Sequence, residues 1–230
     1  MRVRLRSFSC KDLYQCASLV RSAWYLNDDG PMRYKLMLAA RYFISCLKDS
    51  NLCFVAAEGK KVHALVLLAA HHNKDKISWL KTAFLGPVLK LLDFSCKRLS
   101  YLSSDYAYDE KYKEQYAYMH DIVLQNKIKG CELLLIISDK ELKGLGSHLI
   151  RVCERLAFLH HEPCLYLLTD ESCNYTFYQR HNYTACFEQE LDFSIAGERR
   201  HIQKCFIYNL NSACPIVYKI LENARFKPAL

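Results

Sequence analysis

The chain has 230 residues, 51% of them hydrophobic and 24% charged, with 32 Lys and Arg against 24 Asp and Glu. This length admits one sizeable domain or two small ones, and the apolar fraction excludes a disordered, collagenous or linker-like chain. The net charge of +8 favours anionic partners, but no run of five or six basic residues marks a nucleic-acid arm and no segment approaches the ~20 apolar residues of a membrane-spanning helix.

Arg2 to Arg6 alternates polar and apolar residues, which predicts a strand. Leu13, Cys16, Val20 and Ala23 then recur at helical spacing, predicting an amphipathic helix that ends near Asn27-Asp28-Asp29-Gly30, with a second helix over about 32–47. Leu52–Ala57 and Val62–Ala69 flank the turn Glu58-Gly59-Lys60-Lys61 and predict a hairpin. Trp79 to Phe84 predicts a helix interrupted at Gly86-Pro87, and Leu89 to Leu102 resumes it. A tyrosine-rich stretch (Tyr101, Tyr106, Tyr108, Tyr112, Tyr116, Tyr118) leads into a helix near Glu114–Asn126; these tyrosines fit either packing or the wall of a substrate pocket.

Cys131–Ile137 is nearly continuous in apolar residues, as in a strand buried on both faces. Leu145, Leu149, Val152, Leu156 and Leu159 form one apolar helix face. Leu165–Leu168 is a further buried strand, residues 172–180 a short helix, and residues 183–193 and 203–210 two last strands. The resulting order is β-α-α-β-β, a helical insertion at about 72–130, then β-α-β-α-β-β. It predicts a single α/β domain over residues 1–230.

The twelve cysteines include no Cys-x-x-Cys pair and no zinc-finger spacing, and the first residues lack the apolar stretch of a signal peptide. This composition predicts a cytoplasmic chain with reduced thiols, most of them small core residues. The adjacent pairs His71-His72 and His160-His161 project apart on helix or strand, so no metal site is expected.

Chemistry concentrates after the strand ending at Ile137. A polar loop, Ser138 to Lys143, leads into Gly144-Leu145-Gly146 at the start of an amphipathic helix. Unpaired amides and a partial positive charge at a helix start attract anions, and glycine lets a phosphate approach the backbone. Lys143 and Ser147 add a charge and a hydroxyl. Neither a Walker A loop nor a complete dinucleotide fingerprint is present.

Glu141-Leu-Lys-Gly144-Leu-Gly146 resembles the Gln/Arg-x-x-Gly-x-Gly/Ala motif of the GNAT (GCN5-related) N-acetyltransferases, with Glu141 where Gln or Arg is usual. The segment from Leu165 to Thr184 resembles the second motif of that family, with Phe177-Tyr178 in its helix and Asn182-Tyr183 where Gly-Phe is usual. The resemblance covers most of the chain outside the insertion. It implies the GNAT fold, a mixed, strongly twisted sheet with helices on both faces and the helical insertion between the third and fourth strands.

It further implies that acetyl-CoA is bound by Ile136, Ile137, Ser138, Leu142, Lys143, Gly144, Leu145, Gly146, Ser147 and Asn174, with no metal. Tyr178 is then the acid that protonates the leaving thiolate, and an amide near Ile136–Ile137 stabilises the carbonyl oxygen. Glu132 is the candidate base, with His120 and Asp121 as alternatives beside a route through ordered water alone. The implied activity is acetyl transfer to a primary amine, on a small molecule or a peptide, by direct attack; an acyl-cysteine route stays formally open. A non-catalytic acyl-CoA-binding module on the same fold, and a basic interaction protein with a purely structural Gly-x-Gly, are the alternatives. No nucleic-acid or membrane partner is expected. The amine and the oligomeric state are left open.

Overall fold

The computed structural model describes residues 3–25, 30–70, 77–195 and 201–211. The helix end expected at Asn27-Asp28-Asp29 and the pair His71-His72 lie outside the described residues. The element order is β1 (Arg4–Ser7), α1 (Leu13–Trp24), α2 (Met32–Asp49), β2 (Leu52–Glu58), β3 (Lys61–Ala69), α3 (Ile77–Arg98) and α4 (Asp105–Gln125). It continues with β4 (Cys131–Ser138), α5 (Leu145–Leu159), β5 (Cys164–Asp170), α6 (Tyr175–Arg180), β6 (Thr184–Asp192) and β7 (Ile202–Asn211). This is the order expected from the sequence.

Among the described residues the strands form one seven-stranded sheet, β1-β2-β3-β4-β5-β7-β6, antiparallel throughout except for the β4–β5 pair. Period-two alternation sends Ala64, Val66 and Leu68 of β3 with Leu165 and Leu167 of β5 to the face covered by α5, where Leu149, Ile150, Cys153 and Ala157 are buried. Leu65 and Leu67 point the other way, onto α1 and α2, and farther along that face Tyr166 and Ile207 meet Met119, Ile122 and Val123 of α4. Burial of each large aliphatic side chain contributes about 1.5–3 kcal/mol.

Two sequence expectations are corrected. The helix expected to break at Gly86-Pro87 runs unbroken through Pro87. A proline inside a helix costs roughly 3 kcal/mol, but Leu85, Leu89 and Leu92 pack against the α2 cluster on both sides of it and hold the helix together. The helix expected from Glu114 begins nine residues earlier, at Asp105, where Tyr106, Asp109 and Glu110 gather around a buried cation.

That cation is Arg41 of α2, 2% exposed. Its Nε donates to Asp93 of α3 at 2.8 Å, its Nη1 lies 3.3 Å from Asp109, its Nη2 meets Glu110, and its guanidinium sits 4.9 Å from the centre of the Tyr106 ring. The Tyr25 hydroxyl donates to the other oxygen of Asp109 at 2.8 Å. Arg41 thereby fastens both inserted helices to α2.

Candidate active site

The β4–β5 pair makes the site. These strands register at Cys131↔Leu165 and Glu132↔Tyr166 and nowhere further along. Gly130 sets the closed end. Its φ is +155°, and a Cβ there would lie 2.4 Å from the Cys164 carbonyl oxygen, so only glycine lets the two chains come this close. From Leu133 to Ser138 the edge of β4 facing β5 has no strand partner among the described residues, which leaves that edge open to an extended ligand.

β4 also carries a bulge. Leu67 pairs with Leu135 and Leu68 with Leu133, which leaves Leu134 without a partner in the register. A bulge turns a peptide group out of the ladder and re-aims it. Nothing in the apolar run Cys131–Ile137 signals this position, because a register slip depends on the neighbouring strand.

Beyond the open edge lies the glycine loop. Gly144 occupies the N-cap position of α5 with φ +82°, a left-handed conformation costly for other residues. Leu145 N donates to the Leu142 carbonyl at 3.2 Å and His148 N to that of Gly144 at 3.0 Å, whereas among the described residues no backbone carbonyl accepts from Lys143, Gly144, Gly146 or Ser147. These open amides stand at the positive end of a 15-residue helix, as an anion cradle requires. Gly146 packs under α6: a Cβ there would meet Ser138 Oγ at 3.4 Å and the Phe177 ring at 3.7 Å. The two motifs read from the sequence are therefore in contact.

No family model matches the chain, and no curated protein matches it in sequence. Solved structures do. The ribosomal-protein-S18-alanine N-acetyltransferase of Escherichia coli superposes with a TM-score of 0.52 at 11% identity, covering 91% of this chain and 94% of its own. The smu.2055 protein of Streptococcus mutans gives 0.52 at 10% identity over 91% of this chain and 99% of its own. A protein described as an acetyltransferase of the GNAT family from Desulfovibrio desulfuricans gives 0.48 at 15% identity over 92% and 100%. The chain has the GNAT fold.

Within this fold the predicted residues fall on two sides of the open β4–β5 seam. Tyr178 lies on the α5 side, packed against the cluster that contains Leu149 and Leu167. Its ring meets those of Phe177 at 5.3 Å, Tyr183 at 5.9 Å and Tyr208 at 6.2 Å. Burial pushes its hydroxyl pKa well up, so the group stays protonated. Asn182, the first residue of the Asn-Tyr pair, has φ +65°, a conformation asparagine accepts more readily than most residues.

Glu132 is on the opposite face, 7% exposed, with its carboxylate pKa raised by burial. The Tyr166 hydroxyl donates to its Oε2 at 3.3 Å, and His120 Nε2 lies 3.4 Å from its Oε1. Two of the three candidate bases are thus paired at the closed end of the seam, while Asp121 is exposed on α4. Asn174 stands at the N-cap position of α6 and is exposed, its Oδ1 accepting from Thr176 Oγ1 at 3.1 Å.

Beside Tyr112 and Tyr116, the structure adds Asp170, Trp24 and Cys173, which the sequence does not single out. Asp170 closes β5 and is 1% exposed; its Oδ1 accepts from Ser172 N at 2.8 Å and from the Ser172 hydroxyl, and its Oδ2 from the Tyr116 hydroxyl at 3.4 Å. Tyr112, also on α4, donates to Gln203 of β7 at 3.1 Å. Trp24 packs edge-on against Tyr42 at 5.4 Å. The Cys173 thiol stands near Thr169, Trp24 and Ser172, and its pKa is raised first by burial and then by Asp170. A thiol held protonated is a poor nucleophile, so Cys173 does not support an acyl-cysteine route. A carboxylate at the carboxyl end of a buried strand is the available sequence signal for Asp170. Of the six tyrosines in the insertion, Tyr112 bonds Gln203, Tyr116 bonds Asp170 and Tyr106 faces Arg41.

Among the described residues no group of His, Cys, Asp and Glu could hold a metal, and no helix is long and apolar enough to cross a membrane.

Behind Tyr178, the Tyr183 hydroxyl donates to Glu154 of α5 at 3.3 Å, and burial pushes the Glu154 pKa up to about 7. A carboxyl raised on folding stabilises the protein fully below its unfolded value near 4.5, and this contribution is lost as pH rises through about 7. Glu154→Gln keeps an acceptor for Tyr183 and removes the charge. Urea melts should show it more stable than the native chain at pH 8, by up to roughly 3 kcal/mol, and equal to it at pH 4. Equal stabilities at pH 8 would contradict the burial argument.

Proposed function

We propose that this chain is an acetyl-CoA-dependent N-acetyltransferase that acts on a primary amine by direct attack. The observation that carries the reading is the open edge of β4, bulged at Leu134, running from the closed end at Glu132 toward the open amides of Lys143, Gly144, Gly146 and Ser147. An extended, amide-bearing arm ending in phosphates fits that edge as an added strand, with its phosphates on the cradle. The net charge of +8 favours the same ligand at long range.

Acetyl-CoA bound there supplies an activated thioester. Ile136, Ile137 and Ser138 pair with the arm, Leu142 to Ser147 hold the pyrophosphate, and Lys143 supplies a cation beside it. Asn174 stands at the edge of this surface. The Leu134 amide, turned out by the bulge, donates to the carbonyl oxygen as it gains charge, a role shared with the Ile136–Ile137 segment. Tyr178 donates its proton to the leaving sulfur. Glu132, paired with His120, accepts a proton from the amine through water on the opposite face. A small-molecule or peptide amine enters from that face, past Tyr42, Tyr116 and Asp170.

Acetyl-CoA binding is tested by thermal denaturation at increasing ligand concentration. At 100 times Kd the native state gains about 2.7 kcal/mol, which should appear as a clear rise in Tm. No rise at millimolar acetyl-CoA would sink the proposal.

A further inference from the structure

We propose that His63, on β3, is a positioning residue for the acetyl-CoA cradle: it locks the loop between β4 and α5 through Asp139. The inference rests on the function proposed above. His63 is the extra residue of a bulge, since Ala56 pairs with Ala64 and Ala57 with Val62, leaving His63 between them. Its side chain is only 3% exposed. Nδ1 lies 3.3 Å from Asp139 Oδ2, and Nε2, buried as well, has no hydrogen-bond partner. A buried polar atom left unsatisfied is a cost that most folds avoid, and its retention calls for an explanation. A leucine or phenylalanine would fill such a place without it, so the polar atom that matters here is Nδ1.

Asp139 is the first residue after β4, and three bonds pass through it. Its amide donates to the His63 carbonyl at 2.7 Å, its Oδ1 accepts from Glu141 N at 3.1 Å, and its carbonyl accepts from Leu142 N at 3.2 Å. Leu142 in turn accepts from Leu145 N at 3.2 Å, the first residue of α5. The chain of bonds thus runs from β3 to the helix start, and it spans the segment whose amides at Lys143 and Gly144 are open. The Glu141 amide first, and then His63 and Lys61, hold the Asp139 carboxyl below the usual range, so it stays an acceptor at both ends. With His63 in place the loop is fixed before ligand arrives, and its amides need no ordering on binding.

The experiment compares His63→Ala with His63→Asn. The asparagine amide nitrogen branches at the same carbon as Nδ1 and can donate to Asp139; alanine cannot. The first readout is hydrogen exchange of the bonded amides of Asp139, Glu141, Leu142 and Leu145 in the ligand-free protein. Exchange should quicken at least tenfold in His63→Ala and stay within threefold of the native chain in His63→Asn. The second is calorimetric Kd for acetyl-CoA, rising about tenfold in His63→Ala alone, with kcat at saturation unchanged. Native exchange in His63→Ala, or equal loss in both variants, overturns the proposal. If the native chain binds no acetyl-CoA, the functional reading falls, and the exchange data still decide whether His63 holds the loop.

Discussion

The Tyr178→Phe protein is expected to fold and to bind acetyl-CoA like the native chain, yet to turn over roughly 10²–10⁴ times more slowly, the usual worth of a positioned acid. The ring and the hydroxyl of Tyr178 have separable roles. The ring is held by Phe177, Tyr183 and Tyr208, and phenylalanine preserves those contacts. Only the hydroxyl is lost, and burial keeps that hydroxyl protonated throughout the working pH range. The defect should therefore lie in kcat, with KM for acetyl-CoA within about twofold, because the cradle amides are untouched. It should also persist across pH 6–9, unlike the loss of a base titrating near neutrality. Steady-state CoA release checks it. Full kcat in Tyr178→Phe at every pH would reduce Tyr178 to packing.

The second large effect concerns stability. Arg41→Ala should cost roughly 3–5 kcal/mol, the range for breaking one side of a buried ion pair, and lower Tm by roughly 6–20 °C. Asp93 and Glu110 are nearly half exposed and can regain water, so the damage centres on Asp109, whose side chain is 14% exposed. Burial already pushes the Asp109 pKa up to about 6 with Arg41 present. Without the guanidinium it must ionise alone or stay protonated, so the deficit should shrink as pH falls from 8 to 5. Arg41→Lys keeps a charge but cannot bond Asp93, Asp109 and Glu110 as the guanidinium fork does, and should fall between the two. Urea melts at both pH values test this; a loss below about 1 kcal/mol for Arg41→Ala would show that α3 and α4 are held by their apolar contacts alone.

These predictions divide along the line between what the sequence carries and what it does not. The strands and helices follow from periodicity, and the Gly144–Gly146 cradle and the Phe177-Tyr178 helix follow from motif and order. Their contact, through Gly146 and the Phe177 ring, needs the fold. The bulge at Leu134 belongs to the pairing of two strands and leaves no trace in either alone. Arg41 looks like any basic residue on an amphipathic helix until Asp93, Asp109 and Glu110 arrive from elements 50 and more residues away. Asp170 lies just past the strand read at Leu165–Leu168, and its burial depends on Tyr116 and Ser172, which the fold brings to it. Pro87 reads as a break because a local rule cannot see the leucines that hold the helix on either side.

The central claim is that the open β4 edge and the glycine cradle serve acyl transfer. The most direct measurement is steady-state release of CoA from acetyl-CoA by the full chain, presented with a panel of primary amines and followed by mass analysis of the products. The account predicts amine-dependent turnover with stoichiometric N-acetylated product, reduced at least 10²-fold in Tyr178→Phe. Tight acetyl-CoA binding without amine-dependent release across the panel would contradict it and assign the same surface to a non-catalytic acyl-CoA-binding module.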